Sequence, residues 1–168
     1  MASYKAKAIS LKTAPFAEAD KLVTLFTREY GKIRAIAKSA RKIPSRLAGR
    51  VEPLTYAEYF VAKGRSLDII SQVEVFESFQ PVREGEKTLP AALYMLKLVN
   101  SGTVDGQKNS ELFDLLLDSL LRLKTGEAGR QVARDFVRKF VILEGIYKED
   151  THPADSLSEH IGRDVRVW

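Results

Sequence analysis

The chain has no cysteine among its 168 residues. That excludes a disulfide framework and any thiolate metal site. Histidine is scarce: only His152 and His160 are present, both near the C-terminus. Without cysteine they do not make a usual structural zinc site. His152 with Asp150 and Asp155 is a poor metal constellation, better read as a solvated polar loop. The phosphate-binding pattern GxxxxGKS/T and the dinucleotide fingerprint GxGxxG are both missing. No serine lies in a GxSxG elbow. The paired carboxylates Glu149 and Asp150 sit beside Lys148 in a polar stretch with nothing to perturb them. No catalytic site, metal or cofactor is expected, and any activity should come from binding. No apolar run approaches the roughly 18 residues of a membrane span. The opening MASYKAKAISLK lacks the apolar centre of a signal peptide. The expectation is a cytoplasmic protein with no membrane partner.

What is present is a core and a lopsided charge. Hydrophobic residues make up 45% of the chain and charged residues 29%, the balance of a globular protein. The formal net charge is +5. Residues 1–80 hold 14 basic and 8 acidic side chains, whereas residues 81–168 hold 13 and 14. The excess cation therefore sits in the first half, which points to a polyanionic partner there.

The two halves also differ in period. Tyr4–Lys12, Lys21–Thr27, Lys32–Lys38, Arg50–Ala62 and Leu67–Phe76 read as strands. The second and third form a hairpin about the Tyr30-Gly31 turn. In the last run Leu67, Ile69, Ser71, Val73 and Val75 alternate with Asp68, Ile70, Gln72 and Glu74. Five strands without a long helix predict a small Greek-key barrel of the OB type. Pattern alone leaves an SH3-like barrel open. From Pro81 the spacing turns helical. One helix starts at Thr88-Leu89-Pro90 and stops at Gly102. A second follows Asn109 or Ser110 and stops at Lys124-Thr125-Gly126. A third runs from about Ala128 to Tyr147 with Val132, Phe136, Phe140 and Leu143 on one stripe. The fold expected is α+β with two domains: an OB-fold-like barrel over residues 1–80 and an α-helical bundle over residues 81–168.

The segment from Lys32 to Arg50 carries seven basic side chains and no acidic one. Lys32, Arg34 and Lys38 share one face of the third strand, about 6.6–6.8 Å apart along it. That spacing approximates successive phosphates of an extended single strand. The following loop adds Arg41, Lys42 and Arg46, and Arg50 opens the next predicted strand. Like charges so gathered repel unless a polyanion neutralises them. Pro44 and Gly49 bend the loop, and Ser39 and Ser45 are suited to donate to phosphate oxygens. Among the strand aromatics, Tyr56 and Phe60 share parity with Leu54 and are expected to be buried. Tyr59 then faces outward as the candidate base-stacking residue. Arg130, Arg134 and Arg138 form a basic ridge along the third helix, a candidate partner-binding surface whose alternative is a solvated face. These features fit a DNA-binding protein, and equally an RNA-binding barrel or an adaptor for an acidic peptide.

One ordered string is more specific. Glu18–Thr27 (EADKLVTLFT), Tyr30-Gly31-Lys32, Ala37–Lys42 (AKSARK) and Ser45–Gly49 (SRLAG) resemble the N-terminal region of the bacterial DNA repair protein family RecO. Lys7–Thr13 is similar to that family's first strand. Leu143–Tyr147 and the closing His160–Arg163 carry a fainter likeness. The resemblance implies an N-terminal OB-fold and a helical domain. It implies binding of single- and double-stranded DNA, annealing of complementary strands and recombination mediation. Implied partners are RecR, the acidic C-terminal tail of single-strand-binding protein and, indirectly, RecA. Nucleoid association during repair goes with that role. Many members carry a four-cysteine zinc segment in the helical half. This chain passes instead from Tyr147 through KEDTHPADS to its closing stretch, so zinc is not carried over.

Overall fold

The computed structural model describes residues 2–43 and 45–166. Its chain divides into two compact units. One comprises Met1–Ser78 together with Val104–Ser110; the other comprises Phe79–Thr103 and Glu111–Trp168.

The first unit is a closed barrel of five strands. They are β1 (Ser3–Phe16), β2 (Asp20–Thr27), β3 (Gly31–Ala37), β4 (Tyr56–Ala62) and β5 (Asp68–Glu77). The order around the barrel is β1-β2-β3-β5-β4, with β1 closing onto β4. The β3–β5 pair is parallel and short; every other pair is antiparallel. This is the expected OB-fold-like barrel. Closure leaves no free edge. Small residues let the walls approach: Ala8, Ala35, Ala37 and Ala57 line the interior with Val23, Leu25, Val61, Ile70 and Val73. Tyr59 fills the middle.

Two strand expectations are corrected. The run from Arg50 to Ala62 is not one strand. Ala48–Arg50 form a single 3-10 turn, and Leu54 adopts a left-handed φ of 78° before β4 begins at Tyr56. That turn resets the alternation, so Ala57, Tyr59 and Val61 face inward while Tyr56 and Phe60 are only half-buried. In β5 the register slips between Phe60 and Val61, leaving Ser71 as an extra residue. The bulge puts Ile70 and Val73, three apart, into the core and breaks the strict alternation.

The loop after β3 is anchored rather than trailing. Ser10 Oγ donates to the Val51 carbonyl at 2.8 Å, and the Leu54 amide donates to the Ser10 carbonyl at 2.8 Å. The Ser39 amide donates to Asp20 Oδ1 at 2.8 Å, with Ser39 itself at positive φ. Pro44 lies outside the described residues. Across the barrel, the loop Val104–Ser110 lies along the start of β3. Its Gly106 amide donates to the Lys32 carbonyl at 2.9 Å. Gly31 is required there. Its φ is +73°, and a Cβ would fall 2.2 Å from the Gln107 carbonyl oxygen.

Among the described residues the second unit holds five helices: α1 (Gln80–Arg83), α2 (Thr88–Gly102), α3 (Ser110–Lys124), α4 (Gly129–Leu143) and α5 (Pro153–Ile161). The three long ones match the expected spacing. Their buried stripes are Met95, Leu96 and Val99 on α2, Leu112, Leu116 and Leu120 on α3, and Val132, Phe136 and Phe140 on α4. Helix α4 ends at Leu143, short of Tyr147. Helix α5 is an addition. It starts inside the polar stretch read as a linker, with Pro153 in its first turn and His152 as its cap. His152 Nδ1 accepts from the Ala154 amide at 3.2 Å, so this histidine caps the N-terminus of a helix. Among the described residues no helix is long and apolar enough to cross a membrane.

Candidate nucleic-acid interface

Between the end of β3, the loop that follows and the first half of β5 lies a groove of about 500 Å³. Lys38 and Ser39 form one end, and Ser45, Arg46 and Arg50 rise from the loop. Ile69, Ile70 and Val73 supply an apolar floor, and the bulge turns Ser71 and Gln72 toward it. Among the described residues no acidic side chain lines this groove. Neither Lys38 nor Arg46 has an acidic partner among the described residues. Arg50 Nη1 donates to the Val73 carbonyl at 3.3 Å, which fixes the guanidinium and leaves its other N–H groups free to donate. Ser45 Oγ accepts from the Leu47 and Ala48 amides at 3.2 Å each, holding the 3-10 turn that carries Arg50. The chemistry on offer is three cations, the hydroxyls of Ser39 and Ser45 and the Gln72 amide around an apolar strip, with the Ser71 hydroxyl donating to the Phe60 carbonyl at 3.0 Å. That set suits a phosphate backbone with its sugars.

The other sequence-derived candidates are placed elsewhere. Lys32 is 7% exposed at its side chain and pairs with Asp105 at 3.6 Å. Arg34, 53% exposed, pairs with the same carboxylate at 3.5 Å. Asp105 comes from the loop after α2, a long-range contact that strand parity does not reveal. Arg41 reaches back to the Ala17 carbonyl at 3.3 Å, on the β1–β2 turn. Lys42 is exposed on the loop. The seven cations thus split into a groove set (Lys38, Arg46, Arg50) and peripheral or paired ones.

Tyr59 is a correction. It is 0% exposed in the barrel core, where burial pushes its phenol well above the usual tyrosine range. No ring face is available to a base. The exposed aromatics of the barrel are Tyr30, packed edge-on against Tyr4 at 5.1 Å, and Phe76, packed on Tyr56 at 5.1 Å. Sequence reasoning passed over both. Tyr30 sits at a hairpin turn, a position that is exposed by default and was available as a signal.

In the helical unit Arg130, Arg134 and Arg138 are all exposed along α4. Arg134 and Arg138 border a cavity of about 180 Å³ with Tyr94, Val137, His152 and Pro153. Burial pushes the Tyr94 phenol up to about 12, and its hydroxyl donates to the Val165 carbonyl at 2.8 Å. Asp135, on the same rim, is occupied by Arg122 of α3 at 2.9 Å. Arg130 lies away from this cavity, beside Glu127 and Gly129. No group of three or more metal-ligating side chains occurs among the described residues.

Comparison with known proteins agrees with this architecture. Residues 1–79 match the family described as "Recombination protein O N terminal", and residues 86–147 match "Recombination protein O C terminal". The DNA repair protein RecO of Pelotomaculum thermopropionicum is 41% identical over 145 residues, covering 86% of this chain and 56% of that protein. RecO of Alkaliphilus metalliredigens is 38% identical over 143 residues, covering 84% of this chain and 58% of that one. RecO of Caldicellulosiruptor saccharolyticus is 35% identical over 159 residues, covering 95% and 65%. The chain therefore spans little more than half the length of these curated relatives. Barrel, helices and both family matches together make the chain a member of the RecO family of DNA repair proteins.

Proposed function

We propose that the chain binds single- and double-stranded DNA through the groove of Lys38, Arg46 and Arg50 and anneals complementary strands without itself being an enzyme. The observation that carries this is the groove's composition: three clustered cations with no acidic partner and no acidic lining side chain among the described residues. Annealing has a plain electrostatic basis. A cationic surface lowers the repulsion between two strands, while contacts to phosphates leave the Watson–Crick edges free to pair. In the cell this role would place the protein at the nucleoid during repair, acting with RecR to help RecA replace single-strand-binding protein. The acidic C-terminal tail of single-strand-binding protein would dock at Arg134 and Arg138 on α4. Two cations beside a small apolar cavity support that assignment.

The test is annealing of complementary oligonucleotides, naked or coated with single-strand-binding protein. Lys38→Glu with Arg46→Glu should abolish annealing on both substrates, and should weaken binding to every sequence alike. Arg134→Glu with Arg138→Glu should anneal naked strands normally and fail on coated ones. Normal annealing by the groove variant would refute the assignment of the DNA path.

A further inference from the structure

A second cavity, of about 470 Å³, opens on the barrel unit away from the groove residues. Its lining includes Tyr4, Tyr30, Glu29, Lys63, Asp68 and Lys108. The volume lies within the range of small-ligand pockets. Tyr30 is 44% exposed. Its ring meets Tyr4 nearly perpendicularly, at an interplanar angle of 72°. Tyr4 in turn is pinned by a hydrogen bond from its hydroxyl to Asp68 Oδ2 at 2.5 Å. Burial and this bond push the Tyr4 phenol well above its usual range, so it stays a donor. Tyr30 is therefore an exposed ring on a rigid support.

The charges around it are unequal in availability. Asp68 accepts from the Tyr4 hydroxyl on one oxygen and from the Gly64 amide at 3.3 Å on the other, so its acceptor sites are occupied by neutral donors. Both oxygens of Glu29 accept from the Lys7 amide, at 2.8 and 3.2 Å. Lys63 and Lys108 have no such partners among the described residues. What the cavity offers is one partly exposed aromatic ring and two ammonium groups without acidic partners, beside two carboxylates that are hydrogen-bonded to neutral donors and keep their charge. An aromatic face with nearby cations is the minimal device for holding one unstacked nucleotide, base on ring and phosphate on lysine.

We infer that this cavity is a subsite for one extruded base of single-stranded DNA, stacked on Tyr30 with its flanking phosphates held by Lys63 and Lys108. The inference rests on the DNA-binding reading above. It supplies the stacking element that Tyr59, being buried, cannot supply. A duplex keeps its bases stacked internally, so the subsite should act on single strands alone.

The experiment measures the affinity of the full chain for a fluorescent oligo-dT and for a blunt duplex. Tyr30→Ala should weaken single-strand binding by roughly fivefold to 150-fold, the range for losing one stacked base. Duplex binding should be unchanged, which also reports that the variant is folded. Tyr30→Phe should bind like the parent. Lys63→Glu with Lys108→Glu should reduce the magnitude of the single-strand salt slope by about 1.4, from about 0.7 per lost phosphate contact. Photocrosslinking with 5-iodouridine-containing oligonucleotide should label the Tyr30 peptide. Unchanged single-strand affinity in Tyr30→Ala, while the parent protein binds both substrates, overturns the subsite and leaves the groove standing. Absence of any DNA binding by the parent protein overturns both.

Discussion

At the scale of the residue, Tyr59 does not take the outward place that strand parity assigns it. Parity counted from Leu54 sends Tyr59 outward, but the left-handed turn at Leu54 resets the count. Tyr59 then occupies the barrel centre, with its hydroxyl only 3.5 Å from the Thr55 carbonyl, a weak bond. Tyr59→Phe should therefore cost little more than one modest hydrogen bond, about 0.5–1.5 kcal/mol. Tyr59→Ala should cost about 3–5 kcal/mol, by analogy with emptying a large aromatic from a core. Urea unfolding followed on the barrel's circular dichroism would measure both. A stacking role would instead show as Tyr59→Ala losing DNA affinity with no loss of stability.

At the scale of the element, the helical unit is braced by a charged junction. Arg122, in the last turn of α3, donates from Nε to Glu127 Oε2 at 2.8 Å and from Nη2 to Asp135 Oδ2 at 2.9 Å. The second bond reaches α4, and Gln131 adds a donor to Asp135 Oδ1 at 2.9 Å. The Arg122 hydrogen bonds hold both carboxyls below the usual carboxylate range. A depressed folded-state value contributes stability that is present above the unfolded value, near 4, and lost as pH falls through the folded one. Arg122→Gln should raise both carboxyl values toward normal, read by carbon-detected NMR titration. The stability difference between parent and variant should be full at neutral pH and should shrink below about pH 4. The same element scale explains the β5 miss. A period-two reading has no place for an extra residue, and the Ser71 bulge became visible only once β5 was paired with β4.

At the scale of the whole molecule, charge and topology together set the expected salt response. The bare count between Lys32 and Arg50 is seven cations. Folding removes Lys32 and Arg34 to Asp105 and turns Arg41 toward Ala17. Three groove cations remain, to which exposed Lys42 and the two lysines of the Tyr30 cavity can add. With three to six phosphates neutralised on a single strand, log K should fall against log salt with a slope of roughly −2 to −4. A titration of binding between low and moderate salt measures it directly. A slope near zero would remove the electrostatic basis of annealing.

The sequence by itself determined the division of this protein into a strand half and a helical half. Apolar runs broken by turn residues mark the strands, and helical spacing from Thr88 onward marks the long helices, because both periods are properties of neighbouring residues. It also placed the cationic excess in the first half and carried the family string. Only the tertiary structure decided which cations share a groove, because Asp105 and the Val73 carbonyl are distant in the chain from the side chains they hold. The inward turn of Tyr59 and the exposed, supported ring of Tyr30 were likewise settled by a backbone twist at Leu54 and by packing on Tyr4. Those are contacts between segments, and local periodicity does not encode them.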